Sequence, residues 1–274
     1  MRTTTILYGL LAAATTTLAA PGTAARRARH EARKAGDLRS HPFIPSNTSS
    51  SSQVNGPSTE QQVSYSENWS GAALVGSNYT GITGTFVVPT PQAPSGGSSS
   101  TTYSASAWVG LDGYTCTSAI LQTGIDLTVQ NGKPSFAAWY EWYPAYAYDF
   151  TGITISAGNT LKLTIVATST TSGTATVENV STGQSVTHTF TAQTGSLCGT
   201  NAEWIVEDYE QNSALVPLAN FGTVTFSAAA VTEGGKTVGV SGAQVIDMST
   251  SSGSSGVEAK ASLSGSSGVV VSYV

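Results

Sequence analysis

The chain has 274 residues, enough for one large β domain or two small ones. Only 10% of the residues are charged, and Ser, Thr and Gly dominate, a profile that fits a secreted all-β protein better than a helical cytosolic one. The net charge of −5 divides unevenly: residues 1–60 carry seven Lys/Arg against three Asp/Glu, and the remainder four against thirteen, so the acidic body argues against nucleic acid as a ligand and suits work in acid.

Residues 1–20 read as a secretory signal peptide. Arg2 supplies the positive end, Ile6 to Ala14 the apolar core, and Leu18-Ala-Ala20 a small-residue cleavage site. No later run is long and apolar enough to span a membrane, so the expectation is a secreted, extracellular protein with no membrane partner. Residues 21–64 form a basic pro-segment, expected to be largely disordered. Within it Ala24 to Arg39 is Ala/Arg-rich and could form a basic helix, and Ser46 to Thr59 is Ser/Asn/Pro-rich. Arg26-Arg27 offers a processing site.

Residues 65–274 make the body. Strand-like runs begin at Asn68–Val75 and Gly81–Val88, ended by Pro89. After a Pro/Ser/Gly loop come Tyr103–Leu111, Ala119–Val129, Ser135–Tyr143, Gly152–Ser156, Thr160–Thr168, Thr174–Asn179 and Val186–Thr191. Asn201–Glu210, Val224–Phe226, Gln244–Met248 and Val269–Val274 follow, while Ser249–Gly256 and Ser262–Gly268 read as Ser/Gly linkers. Many short strands with turn signals at this spacing predict an all-β sandwich of two packed antiparallel sheets, concanavalin- or jelly-roll-like. Asn68, Asn78 and Asn179 open Asn-x-Ser/Thr sequons in the body and are glycosylation candidates; Asn47 opens a fourth in the leader.

Asn201–Glu210 is the strongest anomaly, with four acids in eight residues interleaved with Trp, Ile, Val and Tyr. Alternation puts Glu203, Ile205, Glu207 and Tyr209 on one face and Trp204, Val206, Asp208 and Glu210 on the other. A carboxylate between bulky apolar neighbours is costly unless something uses it. The bland alternative is a solvated acidic edge strand. Gln122 similarly lies inside the apolar run Ile120–Asp126, and a buried amide needs partners for its donors and its acceptor. Trp139, Glu141 and Tyr143 share one face of an aromatic strand, as a binding groove or a sandwich core would have them.

Elimination narrows the chemistry. The body has one histidine, His188, so a Ser-His-Asp triad or a multi-His metal site is hard to build. The two cysteines, Cys116 and Cys198, read as one long-range disulfide in a secreted chain, leaving no thiol nucleophile. Carboxylates, amides and aromatics remain, and no cofactor or metal is called for.

Several motifs together resemble the glutamic peptidases, the eqolisins of filamentous fungi. They are Asn68-Trp-Ser-Gly-Ala, Ala107-Trp-Val-Gly-Leu-Asp-Gly113, Ala119-Ile-Leu-Gln-Thr-Gly124, Ala138-Trp-Tyr-Glu-Trp-Tyr-Pro144, Ser196-Leu-Cys198 and Asn201-Ala-Glu-Trp-Ile-Val-Glu-Asp208. The resemblance implies a secreted acid endopeptidase made as a pre-pro-protein, acting on protein and peptide substrates as a monomer. It places the catalytic pair on Gln122 and Glu207, and the disulfide on Cys116 and Cys198. Trp69, Trp108, Asp112, Trp139, Glu141 and Tyr143 fall at or near the implied substrate cleft. Ala137 stands where some relatives carry an acid, and the extra C-terminal cysteines of some relatives are missing. The leader, opposite in charge to the body, is expected to act as an intramolecular inhibitor. Two other readings stay open on the residues alone: a glycoside hydrolase using Glu141 and Glu207, or a lectin-like module using the aromatics for sugar.

Overall fold

Period-2 alternation and β-branched or aromatic residues run through most of the body, and both favour strands over helices. The computed structural model describes residues 38–46, 63–250 and 256–274. The expected signal peptide, Asn47 and most of the expected pro-segment lie outside the described residues.

All regular structure among the described residues is strand. β1 (Leu38–Arg39) and β2 (Val63–Ser66) precede β3 (Trp69–Val75), β4 (Tyr79–Val87) and β5 (Tyr103–Leu111). β6 (Ile120–Gln130), β7 (Lys133–Tyr143) and β8 (Tyr148–Asp149) form a meander on β5. β9 (Thr160–Ser169), β10 (Ser172–Asn179) and β11 (Gln184–Phe190) form a second one. β12 (Asn201–Glu207), β13 (Glu210–Gln211) and β14 (Ala214–Leu215) follow. The chain closes with β15 (Thr223–Glu233), β16 (Lys236–Val238), β17 (Gln244–Ser249), β18 (Val257–Ser264) and β19 (Gly268–Tyr273).

The strands make a β-sandwich whose two layers are one continuous hydrogen-bonded path. One layer runs β11-β10-β9-β4-β15, and the other runs β15-β19-β18-β17-β3-β12-β5-β6-β7-β8. β15 belongs to both: Thr223–Phe226 pair with β19, and Ser227–Glu233 pair with β4. The register slips between Ser227 and Ala230, where Ala228 has a φ of 48°. Such a bulge bends a strand enough to carry it from one layer into the next. Among the described residues the strands pair antiparallel, except that β2 runs parallel to β17 and a single parallel bridge joins Ser104 to Leu218.

The inner faces meet as alternation predicts. Leu74, Val109, Leu121, Ile125, Trp204 and Val206 pack against Ile82, Phe86, Leu161, Leu163, Ile165 and Val177 of the other layer. The Trp204 indole N–H donates to the Thr83 carbonyl at 2.8 Å, so its polar edge is satisfied inside the core. The two ends of the path touch through aromatics: His188 of β11 stacks on Tyr140 of β7, centroids 3.9 Å apart and 9° from parallel. Burial lowers the His188 pKa.

The second layer also buries its outer face. Trp69, Ala73, Trp108, Ile120, Trp139 and Ile205 form a separate apolar cluster there, flanked by Phe43, Tyr114 and Tyr143. This face belongs to β3, β12, β5, β6 and β7 and carries the acids.

Most expected strands are present within a residue or two. Gly152–Ser156 is not a strand; Tyr148–Asp149 pairs with β7 instead. Ser262–Gly268 is not a linker: Ser262–Ser264 end β18, and a short turn leads to β19. Leu38 and Arg39, which end the stretch compatible with a helix, are a strand paired with β13. The part of the leader at residues 38–46 is therefore ordered against the body.

Candidate active site

The site is built on the outer face of β12, β5, β6 and β7. Register puts Glu207 opposite Ser106 of β5 and Trp69 of β3, and Gln122 opposite Gly110 of β5 and Glu141 of β7. Glycine at 110 and 124 leaves room for this. A Cβ at Gly110 would lie 2.9 Å from the Trp108 ring and 3.2 Å from the Gln122 Cβ. One at Gly124 would lie 2.5 Å from the Trp108 Cβ.

Glu207 is fully buried and has three donors. The Trp108 indole N–H reaches Oε2 at 2.8 Å, the His41 backbone N–H reaches Oε1 at 3.1 Å, and the Ser40 hydroxyl donates to Oε2. The Trp69 indole faces the same carboxyl without closing a bond of good geometry. Desolvation pushes Glu207 up to about 7, and these donors offset only part of it. No neighbouring acid contributes to this shift.

Gln122 and Glu141 are also fully buried. Gln122 Nε2 donates to Glu141 Oε2 at 3.3 Å, and the Ser40 backbone N–H donates to the same oxygen at 3.2 Å. Gln122 Oε1 is a buried acceptor with no partner among the described residues. An orphaned buried amide oxygen in a cleft marks a place where a ligand or water is handled. Ser40 thus bridges the two halves of the site, touching Glu207 through its hydroxyl and Glu141 through its amide. A small cavity beside it is lined by Ser106, Asp126, Trp139, Glu141 and Glu207. Ser106 links this wall together, accepting from the Trp139 indole at 2.9 Å and donating to Asp126 at 3.1 Å.

Tyr143 flanks the His41 ring at 6.1 Å. Trp69, Trp108 and Trp139 are buried in the wall rather than exposed as platforms.

Asp112 is a correction to the expected cleft residues. It is buried, and its carboxylate accepts from the backbone N–H groups of Cys198, Gly199, Thr200 and Asn201 at 2.7–3.1 Å and from the Thr200 hydroxyl at 3.3 Å. Both oxygens are committed to the turn that starts β12, so Asp112 positions that strand and does not present itself to a substrate. Its charge, after burial, is what holds Glu203 well above the usual carboxylate range. Glu203 is fully buried, and burial and the Asp112 charge both favour its neutral form.

Cys116 and Cys198 are bonded, with their Cα atoms 6.3 Å apart. The bond ties the loop before β6 to the turn before β12. Asn201 Oδ1 reinforces it by accepting from the Thr115 and Cys116 backbones at 2.8 and 3.0 Å.

Two sequons are also corrected. Asn68 and Asn179 are buried, and their side-chain amides are engaged: Asn68 Oδ1 accepts from Ile44 N–H, and Asn179 Nδ2 donates to the Thr154 carbonyl and to Asn159. Asn78 is exposed in the turn between β3 and β4 with a φ of 58°.

Sequence reasoning missed Ser40, His41 and Ser106. The leader residues carry no periodic pattern, and small polar residues in strands are common. Alternation alone could have placed Ser106 beside Trp108 on the cleft face.

The Peptidase A4 family profile matches residues 67–273. Aspergillopepsin-2 of Aspergillus niger is 52% identical over 290 residues, covering 100% of both chains. Scytalidopepsin B of Scytalidium lignicola is 42% identical over 254 residues, covering 89% of each. Among solved structures, scytalido-glutamic peptidase with a transition-state-analogue inhibitor superposes with a TM-score of 0.68 at 42% identity, over 76% of this chain and 98% of that one. Aspergilloglutamic peptidase from Aspergillus niger gives 0.60 at 56% identity, over 63% and 99%.

Proposed function

The chain belongs to the Peptidase A4 family, the glutamic peptidases, and from that premise we propose that Glu207 and Gln122 are its catalytic pair and that residues 21–64 keep it latent. The chain is a peptidase, and the family does not support the glycoside-hydrolase or lectin alternatives. The signal-like first twenty residues support secretion.

The observation that carries the catalytic assignment is one buried carboxyl, Glu207, under the chain's own peptide, on the same face as an amide, Gln122, whose oxygen has no partner; Ser40 touches Glu207 and shares Glu141 with Gln122. Peptide hydrolysis needs a water deprotonated and a developing oxyanion stabilised. Glu207 takes the water's proton and returns it to the leaving amine. Gln122 holds the water through Oε1 and offers Nε2 to the oxyanion, a donor typically worth about 2.7–4 kcal/mol. Glu141 holds that amide in place. The Trp108 indole orients the Glu207 carboxyl.

The leader supports latency in two ways. Residues 38–46 occlude the pair, and they help strip Glu207 of water. A carboxyl held up to about 7 is protonated in acid and cannot accept a proton from water while covered. The docked segment is held by N–H donors to Glu141 and Glu207 and by the pair His41–Glu210 at 3.0 Å. Glu207, held up to about 7 under the leader, is already protonated in acid, so the loosening in acid falls on the other carboxylates that face the leader's cations, and salt screens the part-exposed pair.

The test is hydrolysis of denatured protein in acid by the full chain. Glu207→Gln abolishes it with folding retained, and Gln122→Ala nearly does; neither pepstatin nor a chelator stops the wild type. Near-normal turnover by Glu207→Gln would sink the pair. A synthetic peptide of residues 26–41 inhibits better at about pH 5 than at about pH 2.5, and less in high salt. Inhibition flat in both would leave a simple steric plug.

A further inference from the structure

The leader does more than cover the cleft; it threads it as a substrate would. Leu38 and Arg39 pair with Gln211 and Glu210 of β13, and the Ala147 N–H donates to the Leu38 carbonyl at 3.3 Å. Main-chain pairing of this kind recognises an extended peptide with little regard to its sequence. Leu38 is buried against Tyr209 and Val216 on one side. On the other, Phe43 packs on Tyr114 and Trp69, with centroids at 4.8 and 6.2 Å, and its N–H donates to the Gly113 carbonyl at 3.1 Å. Both flanks are pinned. The peptide bond Ser40–His41 lies between them, directly on Glu207.

The two oxygens of Glu207 divide their contacts. Oε1 receives the His41 N–H at 3.1 Å, and that nitrogen is the one that would leave if Ser40–His41 were cut. Oε2, through which an attacking water would hand over its proton, receives the Ser40 hydroxyl. Pro42 has no N–H, so a register that brought Pro42 over Glu207 would lose the Oε1 contact.

We propose that Ser40 is a lock: its hydroxyl takes the seat of the attacking water, so that Ser40–His41 lies in the cleft as a substrate bond and is spared. The lock rests on the Glu207–Gln122 reading. Vacating the seat lets water in, and water also rehydrates the carboxyl and restores its basicity. The step is then an ordinary hydrolysis. The water oxygen bonds to the Ser40 carbonyl carbon, its proton passes to Glu207, the C–N bond breaks, and Glu207 protonates the His41 nitrogen. No other reactant is needed.

The test uses the full-length chain in acid, with new N-termini read by mass over time. The forms are wild type, Ser40→Ala, Ser40→Thr and the double variant Ser40→Ala/Glu207→Gln, each also assayed on denatured protein. Ser40→Ala exposes an N-terminus at His41 about ten- to a hundredfold faster than wild type, the factor expected when a hydrogen bond to a carboxyl no longer competes with water. Ser40→Thr keeps the hydroxyl and stays near wild type, and the double variant shows no such cut. The lock is overturned if Ser40→Ala degrades denatured protein yet leaves Ser40–His41 intact, or if wild type is cut there as fast. A different failure, in which neither wild type nor Ser40→Ala degrades denatured protein, removes the peptidase reading and the lock with it.

Discussion

Asp112→Asn separates the residues that hold the site from those that act in it. The substitution keeps the side chain's shape and changes one oxygen into an NH2 group. Asp112 Oδ2 accepts two backbone N–H groups and Oδ1 accepts two more and a hydroxyl. Whichever way the amide settles, at least two donors then face another donor. Hydrogen bonds to a charged group contribute about 1.5–3 kcal/mol each, so losing two costs roughly 3–6 kcal/mol. At about 2–4 °C per kcal/mol for a domain of this size, Tm falls by roughly 6–24 °C. Thermal unfolding of the full chain, followed by tryptophan fluorescence near pH 4, measures it. Activity at a temperature well below the transition falls less than in Glu207→Gln, because the pair itself is intact. A Tm within about 2 °C of wild type, less than one kcal/mol would produce, refutes the view that this carboxylate anchors the start of β12.

Three further outcomes follow from the same geometry. The Cys116–Cys198 bond spans 82 residues, and the chain-entropy argument gives roughly 4–5 kcal/mol for it; a double Cys→Ser variant loses thermal stability, and finding both thiols free by mass after alkylation would remove the assignment. Burial lifts Glu207 from 4.5 to about 7 and Asp208 from 3.8 to about 8, so the folded state keeps protons that the unfolded chain releases. Stability is therefore full below about pH 4, where both states hold those protons, and is lost as pH rises through about 4 to 8, on the order of 3 kcal/mol from Glu207 alone; denaturant midpoints that rise over that range would contradict the sign. Gly110→Ala pushes a methyl against the Trp108 ring and the Gln122 Cβ; it costs about 1–3 kcal/mol in packing, and a displacement near 1 Å at Gln122 lowers turnover by about a hundredfold, so unchanged kcat would free Gly110 from that role.

The sandwich and the acid-bearing face were legible because alternation is a property of the strand itself. Ile205 and Glu207 go to one face and Trp204 and Val206 to the other whatever the partners are. Asp112 looked like a cleft acid because its partners are backbone N–H groups more than eighty residues away, which no side-chain pattern records. β18 was hidden for the opposite reason: its Ser-rich end has weak strand propensity and is ordered by β19. Ser40 and His41 gave no signal, since their order comes from Glu141 and Glu207, more than a hundred residues on.

The pairing of β12 bears on when the proposed catalytic pair first exists. Gln122 and Glu141 sit across a hairpin that joins β6 to β7, a contact between residues 19 apart that can form early. The strand carrying Glu207 has no such neighbour. It hydrogen-bonds only to β3 and β5, with Glu207 opposite Trp69 and Ser106. Closing loops of that length is slow, because their entropy must be lost before the contacts are gained. Glu207 therefore joins the face that carries Gln122 only when its long-range pairings with Ser106 and Trp69 have closed. A half-made chain holds the amide without the acid, and cannot digest itself or its neighbours while its own strands are still bare.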